Sequence, residues 1–331
     1  MIKKFFYLTI ILSLLTASFG SSFALSTGEV VAEGAILIDS DTGQILYNKN
    51  MHTPLKPAST TKVLTALLIL EKFALDEKVV IDNISPFTPG SRIYIIEGEV
   101  FTIEQLLNAM LIESANDVAV ALAIHHSGSV EAFADAMNAK AKELGALNSN
   151  FENPNGLDGD NHLSTAYDLA LIGKAALSNE VFRSIIKKTT YQIPPTNKQP
   201  ETRYMNNSNK FLYGTGSSNK INYNGESIDI KYDIVTGMKT GYTKAAGQCF
   251  IASASKDGRN LIAVILKSEG KNLYIDTRTM LDFGFDKFTS IEIAKKDDPL
   301  TTFTIEEKEV PAVLKEDINL LMLENYDKTL L

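Results

Sequence analysis

Apolar residues recur along the chain in strand-like runs near both ends and at helical spacing between them. The runs at 34–39 and 43–47 flank a Ser-Asp-Thr-Gly sequence at 40–43, which predicts a hairpin. Late in the chain, three more apolar runs are predicted to be strands, and an Asp-Gly turn at 256–259 joins the last two. These runs lie at 234–240, 248–255 and 261–267.

Helical periodicity dominates the middle of the chain. The segment 59–73 is apolar around most of its girth, so it is predicted to be a buried helix. The segment 199–225 is rich in Asn, Gly and Ser and is predicted to be mainly loop. Strands at both ends with helices between them indicate an α+β fold, in which the first hairpin and the last three strands form one antiparallel β-sheet flanked by helices. The other predicted helices lie at 102–111, 117–125, 129–144, 165–176 and 274–283.

Both ends of the chain differ in character from this main domain, which is predicted to span 25–285. Residues 1–24 have the three-part pattern of a secretory signal peptide: Lys3 and Lys4, an apolar run at 5–15, then small and polar residues up to Ala24. The apolar run is shorter than the ~20 residues of a spanning helix. Cleavage after Ala24 and an extracytoplasmic location are therefore predicted; the alternative is an uncleaved anchor that also uses 16–23.

Residues 286–331 are predicted to be a short C-terminal β-appendage, reduced or truncated, with strands at 290–293, 302–305 and 310–313.

Composition narrows the function classes. The chain is 44% hydrophobic and 22% charged, as in ordinary globular proteins, with a formal charge of −8 and no basic block, so nucleic acid is not a predicted partner. Cys249 is the only cysteine, which excludes an intramolecular disulfide and a cysteine metal cluster. It lies in an apolar stretch and is predicted to be buried and inert. His125 and His126 are adjacent on a predicted helix and point in different directions, so neither a metal site nor a cofactor is predicted.

Ser59 and Lys62 are the first candidates for chemistry. Residues three apart on a helix share a face, and a lysine there can accept the proton of a serine that acts as a nucleophile. The spacing alone is weak evidence, and the alternative is a helix cap beside a solvated lysine. Four other pairs share it: Ser184/Lys187, Ser217/Lys220, Ser253/Lys256 and Ser268/Lys271.

Two further motifs follow along the chain, and they strengthen the evidence that Ser59 and Lys62 are functional. Ser114-Ala115-Asn116 lies where one predicted helix ends and the next begins, and its simpler interpretation is a pair of helix caps. Lys239-Thr240-Gly241 lies on a predicted strand, where Gly241 allows a ligand to approach the backbone. The three motifs together match the set used by serine β-lactamases and penicillin-binding proteins.

The chain resembles the D-alanyl-D-alanine carboxypeptidases, the low-molecular-mass penicillin-binding proteins. The similarity is clearest at 56–65, 151–157, 162–169 and 237–247 and extends over roughly 33–285. It implies a β-lactamase/transpeptidase-like sheet and helices. It also implies removal of the terminal D-alanine from peptidoglycan stem pentapeptides, with β-lactam antibiotics as covalent inhibitors.

The resemblance assigns catalytic roles to three residues. Ser59 would attack the carbonyl of the penultimate D-alanine, Lys62 would be the general base, and Ser114 would pass a proton to the leaving amine. A lysine is a base only if it is partly neutral, which requires burial or a nearby cation. The resemblance makes Lys239 that cation.

Substrate binding is assigned to the other motif residues. Asn116 would hold the substrate amide, and Thr240 would hydrogen-bond the terminal carboxylate beside Lys239 and Gly241. The backbone N–H groups of Ser59 and Tyr242 would form the oxyanion hole. The Asn-Pro-Asn-Gly turn at 153–156 is predicted to shape the floor of the cleft.

Several points stay open. Some relatives place an arginine at the end of the last core strand to bind the carboxylate, whereas here only Lys267 is available as a less directional charge. The acidic end of the chain at 315–331 disfavours an anionic membrane surface, although peripheral membrane association is possible. A β-lactamase, with Glu152 as the candidate base for deacylation, and a non-catalytic cell-wall-binding protein are the alternative functions.

Overall fold

The computed structural model describes residues 30–305, 308–315 and 317–323. The predicted signal peptide at 1–24 and the final residues 324–331 lie outside these ranges. Within the ranges, no helix has both the length and the apolar character needed to cross a bilayer.

The described strands and helices are as follows. The strands are β1 (Gly34–Asp39), β2 (Ile45–Lys49), β3 (Lys78–Val80), β4 (Val100–Thr102), β5 (Thr190–Ile193), β6 (Arg203–Asn206), β7 (Lys220–Tyr223), β8 (Glu226–Asp229), β9 (Val235–Thr243), β10 (Gly247–Lys256), β11 (Arg259–Ser268), β12 (Phe288–Ala294), β13 (Pro299–Ile305), β14 (Lys308–Val313) and β15 (Ile318–Leu323). The α-helices are α1 (Lys62–Lys72), α2 (Ile103–Ile112), α3 (Asn116–Ser127), α4 (Val130–Glu143), α5 (Ala166–Leu177), α6 (Glu180–Ile186) and α7 (Asn272–Lys287), and 3₁₀ turns lie at Ala58–Thr61, Ser85–Phe87, Lys210–Leu212 and Ser217–Asn219.

The predicted antiparallel sheet is confirmed. Its order is β2-β1-β11-β10-β9, so the first hairpin pairs with the late strands through β1 and β11. In this register Ile36 lies opposite Val264, and Lys239 on β9 lies opposite Ile251 on β10. β9 is therefore an edge strand of the sheet, and it packs against the 3₁₀ turn at Ala58–Thr61, which also contacts β10.

Helices cover both faces of this sheet, as the α+β prediction requires. Alternate residues of a strand point to opposite faces. Ile36 and Ile38 belong to one core with α1 to α6, whereas Leu37 packs on the other face with Leu281 of α7. Burial on both faces explains why the central strands read as continuous apolar runs.

The regions that depart from prediction are polar or short. The segment 199–225 is less irregular than predicted, since it contains β6, β7 and two 3₁₀ turns. The elements with no counterpart in the predictions are helix α6 and strands β3, β4, β5, β8 and β15. The C-terminal β-appendage does form strands, with β12 paired to β15 and β13 to β14. The Gln44 side chain bonds both the backbone N–H and C=O of Leu321, which ties β15 to the main domain.

Candidate active site

Ser59 and Lys62 meet at the start of the buried helix. The predicted helix at 59–73 begins three residues late, because Ala58–Thr61 forms a 3₁₀ turn and α1 starts at Lys62. The Lys62 Nζ lies 2.9 Å from the Ser59 Oγ. None of the four other Ser/Lys pairs with this spacing, all within the described ranges, forms such a bond. Of the five pairs, the one that forms this hydrogen bond is therefore Ser59/Lys62, the pair that the other motifs indicate.

The environment of Lys62 favours a neutral amine. Its Nζ also lies 2.7 Å from the Asn116 Oδ1 and 2.6 Å from the Asn155 backbone oxygen. A neutral amine can donate its two hydrogens to these carbonyl-type oxygens and direct its lone pair at the Ser59 hydroxyl. Burial, and then the charge of Lys239, hold the pKa of Lys62 well below its ordinary value, while Asp117 opposes the shift.

Ser114 and Asn116 lie at the junction of α2 and α3. Asn116 is the first residue of α3 and donates from Nδ2 to the Pro89 backbone oxygen at 2.7 Å. Both of its polar atoms are thus engaged within the protein, which makes it a positioning residue for Lys62. To bind a substrate amide as well, Asn116 would have to share or release one of these bonds. Ser114 has a φ of 65°, a left-handed conformation that costs a non-glycine residue about 1–3 kcal/mol and is found mostly at functional sites.

The third motif lies on β9. Lys239 is fully buried and donates to the Thr240 backbone oxygen at 3.0 Å. Burial lowers the pKa of Lys239 to about 7, with Glu113 opposing the shift. Gly241 is required by close packing, since a Cβ there would lie 2.8 Å from the Ser59 backbone nitrogen. Tyr242 is 63% exposed.

The motif residues surround one cleft of about 630 Å³. Ser59, Ser114, Thr240, Gly241 and Tyr242 line it, and Lys62, Asn116 and Lys239 lie buried beneath this surface. Another cavity, of about 420 Å³ beside Arg183, contains none of the motif residues. In the described ranges, no group of three or more His, Cys, Asp or Glu side chains could hold a metal ion.

The turn at 153–156, which is predicted to shape the floor of the cleft, also accepts hydrogen bonds from helix α1. Besides the contact from Asn155 to Lys62, its Pro154 oxygen accepts from the Thr65 hydroxyl at 2.6 Å. Gly156 has a φ of 85°, and a Cβ there would lie 1.8 Å from the Ala58 backbone oxygen. Sequence reasoning missed Asn155 because the contact uses a backbone oxygen, which every residue type carries.

Two residues considered from the sequence do not line the cleft. Lys267, the candidate substitute for an arginine, forms an ion pair with Glu33 at 2.6 Å and does not line the cleft. The structure therefore gives Lys267 a different partner and no place in the cleft lining. Glu152, the candidate β-lactamase base, accepts from the Asn161 backbone N–H at 3.2 Å and is also absent from the cleft lining.

Cys249 behaves as predicted, and His162 is a structural residue as well. Cys249 is buried, and burial raises the pKa of its thiol to about 12, so it is not a nucleophile near neutral pH. His162 is buried between Thr61 and Glu152: its Nε2 lies 2.9 Å from the Thr61 hydroxyl, and its Nδ1 accepts from the Glu152 backbone N–H at 3.0 Å. Burial lowers the pKa of His162 to about 4, so it is a neutral structural residue.

Sequence comparison identifies the relatives of this chain. The sequence model of the family described as D-alanyl-D-alanine carboxypeptidase matches residues 21–270. D-alanyl-D-alanine carboxypeptidase DacF of Bacillus subtilis is 34% identical over 96% of this chain and 81% of its own length. DacB2 of Mycobacterium tuberculosis is 32% identical over 77% of this chain and 82% of its own length.

Structural comparison agrees. A D-alanyl-D-alanine carboxypeptidase from Mycobacterium tuberculosis superposes with a TM-score of 0.70 and 30% identity, over 81% of this chain and 95% of that one. A peptidoglycan synthesis regulatory factor (PBP3) from Streptococcus pneumoniae gives a TM-score of 0.72 at 26% identity, over 90% of this chain and 87% of that one.

Proposed function

Since this chain belongs to the D-alanyl-D-alanine carboxypeptidase family and is a serine-type enzyme of that class, we propose that it acts through an acyl-enzyme on Ser59. The substrates would be peptidoglycan stem pentapeptides that end in D-Ala-D-Ala. One observation carries the proposal. Two of the three hydrogen bonds of the Lys62 Nζ are with carbonyl-type oxygens of Asn116 and Asn155, and the third is with the Ser59 Oγ.

Acylation begins when Ser59 Oγ attacks the carbonyl carbon of the penultimate D-alanine and its proton moves to Lys62 Nζ. The backbone N–H groups of Ser59 and Tyr242 stabilise the oxyanion that forms, a contribution that is often ~3 kcal/mol per donor. The C–N bond then breaks as the leaving amine takes a proton, relayed from Lys62 by the Ser114 hydroxyl. The products are free D-alanine and an ester on Ser59.

Deacylation reverses these roles with water as the nucleophile. Lys62 accepts a proton from water as its oxygen attacks the ester carbonyl. The tetrahedral intermediate collapses, Ser59 regains its proton, and the shortened peptide leaves. Penicillin would acylate Ser59 by the same attack, but its amine stays attached to the adduct because it is part of the opened ring.

The opposite end of the cleft binds the substrate's terminal carboxylate. Thr240 donates from its hydroxyl, and Lys239 supplies positive charge from beneath. Burial lowers the pKa of Lys239 to about 7 when no substrate is bound. A bound carboxylate would raise the pKa of Lys239, because an opposite charge favours the protonated form.

The enzyme would act outside the cytoplasm, where its substrate lies. The signal-peptide pattern that ends at Ala24 supports this location.

D-Alanine release tests the proposal. Wild-type enzyme incubated with an N-acylated Lys-D-Ala-D-Ala tripeptide should release D-alanine, and Ser59→Ala should release none. Ser217→Ala is the matched control, since Ser217 has the same spacing to a lysine and is exposed outside the cleft lining. Rapid turnover of nitrocefin without D-alanine release would instead identify a β-lactamase. Absence of both activities would identify a vestigial site.

A further inference from the structure

The carboxylate end of the cleft lacks an obvious free cation. Among the described residues that line the cleft there is no arginine, and the lysines are Lys210 and Lys271. Lys271 donates to two backbone oxygens, those of Ser218 at 3.2 Å and Lys220 at 2.7 Å, so it is committed to holding a loop. Lys239 lies beneath the surface and is bonded to its neighbour.

Ser208 supplies a second hydroxyl at this end. Its Oγ lies 2.7 Å from the Thr240 Oγ1, and its backbone N–H donates to the Ile112 oxygen at 3.2 Å. Two hydroxyl groups held side by side can each donate to one oxygen of the same carboxylate. In the free enzyme they satisfy each other.

Lys210 supplies a charge within reach of the same position. Its side chain is exposed and forms no hydrogen bond or ion pair with any residue in the described ranges, although it lines the cleft. Because Lys210 follows Ser208 by two residues, their Cα atoms are at most ~7 Å apart. The 3₁₀ turn that Lys210 begins packs against β9, the strand that carries Thr240.

The segment between these two residues is held in place. The Asn209 backbone N–H donates to the Asn207 Oδ1 at 2.8 Å, and the Asn209 side chain caps the turn by accepting from the Phe211 N–H at 3.1 Å. The Tyr213 hydroxyl donates to the Asn207 oxygen at 2.7 Å. Ser208 and Lys210 are therefore presented to the cleft by an ordered backbone.

We propose that Ser208 and Lys210 determine specificity for the terminal carboxylate of the substrate, with Ser208 donating a hydrogen bond beside Thr240 and Lys210 supplying the positive charge. This inference rests on the proposed function and names the residues that take the place of an arginine. A lysine acts as a point charge rather than a bidentate donor. The contribution of Lys210 should therefore depend more on salt than that of Ser208.

A pair of substrates isolates the carboxylate. An N-acylated Lys-D-Ala-D-Ala peptide and the thiobenzyl ester of the same N-acyl-Lys-D-Ala group form one identical acyl-enzyme, but only the peptide has a carboxylate on its leaving group. Ser208→Ala should lower kcat/KM for the peptide roughly tenfold, as for loss of a hydrogen bond to a charged group. Lys210→Gln should lower it several-fold at low salt and less at high salt. Both variants should leave kcat/KM for the thiobenzyl ester unchanged.

The controls separate this inference from a structural effect and from the proposed function. Lys187→Gln removes an exposed lysine outside the cleft lining, and Ser217→Ala removes an exposed hydroxyl; neither should change the ratio of the two kcat/KM values. Equal losses on both substrates, or no loss on the peptide, would overturn the inference. A wild-type enzyme that releases no D-alanine would overturn the proposed function itself.

Discussion

Replacing Lys239 by methionine should stabilise the protein while it removes activity. Lys239 is fully buried, and burial lowers its pKa from the ordinary value of 10.5 to about 7. Between these two values the unfolded chain binds a proton that the folded chain has lost, so the stability of the wild type rises with pH across this window. Below pH 7 both states bind the proton, and the folded state carries the full cost of a buried charge.

The magnitude follows from the two pKa values. A difference from 10.5 to about 7 corresponds to a cost on the order of 5 kcal/mol below pH 7. The methionine side chain has a similar length and no charge. Its cost is the lost hydrogen bond to the Thr240 oxygen, about 1 kcal/mol. Lys239→Met should therefore be more stable than the wild type by a few kcal/mol at pH 6.

The pH dependence is the sharper test. The advantage of Lys239→Met should shrink by about 1.4 kcal/mol for each pH unit above 7, because the wild type gains stability there through Lys239 and the variant has no lysine at this position. Urea unfolding at pH 6, 7, 8 and 9 measures this difference. Lys187→Met, at an exposed lysine, should show no such trend. A variant that is less stable at every pH, or an advantage independent of pH, would refute the reasoning.

Three further predictions concern activity. The kcat/KM for the peptide should fall at acid pH because Lys62 gains a proton, and should fall again above about pH 7 because Lys239 loses its proton. In the pH profile of kcat, the alkaline fall should lie at higher pH, because the bound carboxylate raises the pKa of Lys239. An alkaline fall at the same pH in both profiles would contradict a role for Lys239 in carboxylate binding. Gly156→Ala should slow acylation by penicillin at least tenfold, because the new Cβ would displace Ala58 beside the nucleophile. An unchanged acylation rate would show that the turn does not position Ser59. Asn116→Ala should reduce kcat/KM for the peptide by roughly 10- to 100-fold, because Lys62 loses a buried oxygen to which it donates a hydrogen bond. A kcat/KM within twofold of the wild type would contradict the positioning role of Asn116.

The elements that sequence reasoning found are those with strong periodicity. The five core strands and the buried helix α1 are long, apolar and bounded by turn residues, so their patterns are unambiguous. The short strands β6 and β7 lie in a polar segment whose composition is that of a loop, and their formation depends on tertiary contacts.

The site divides in the same way. Ser59, Lys62 and Lys239 are visible in the sequence because their side chains and spacing carry the chemistry. Asn155 acts through its backbone oxygen, and Ser208 acts through its approach to Thr240, which is distant in sequence. The ion pair between Lys267 and Glu33 is a contact between residues distant in sequence, which no local pattern predicts.

The measurement that most directly tests the account is the mass and position of a penicillin adduct. Intact-mass spectrometry of the wild type should show addition of one whole penicillin, since ring opening loses no atoms, and digestion should place the adduct on Ser59. Ser59→Ala should show no adduct. An adduct on another residue, or an unmodified wild-type mass after prolonged exposure, would contradict the assignment of Ser59 as the nucleophile.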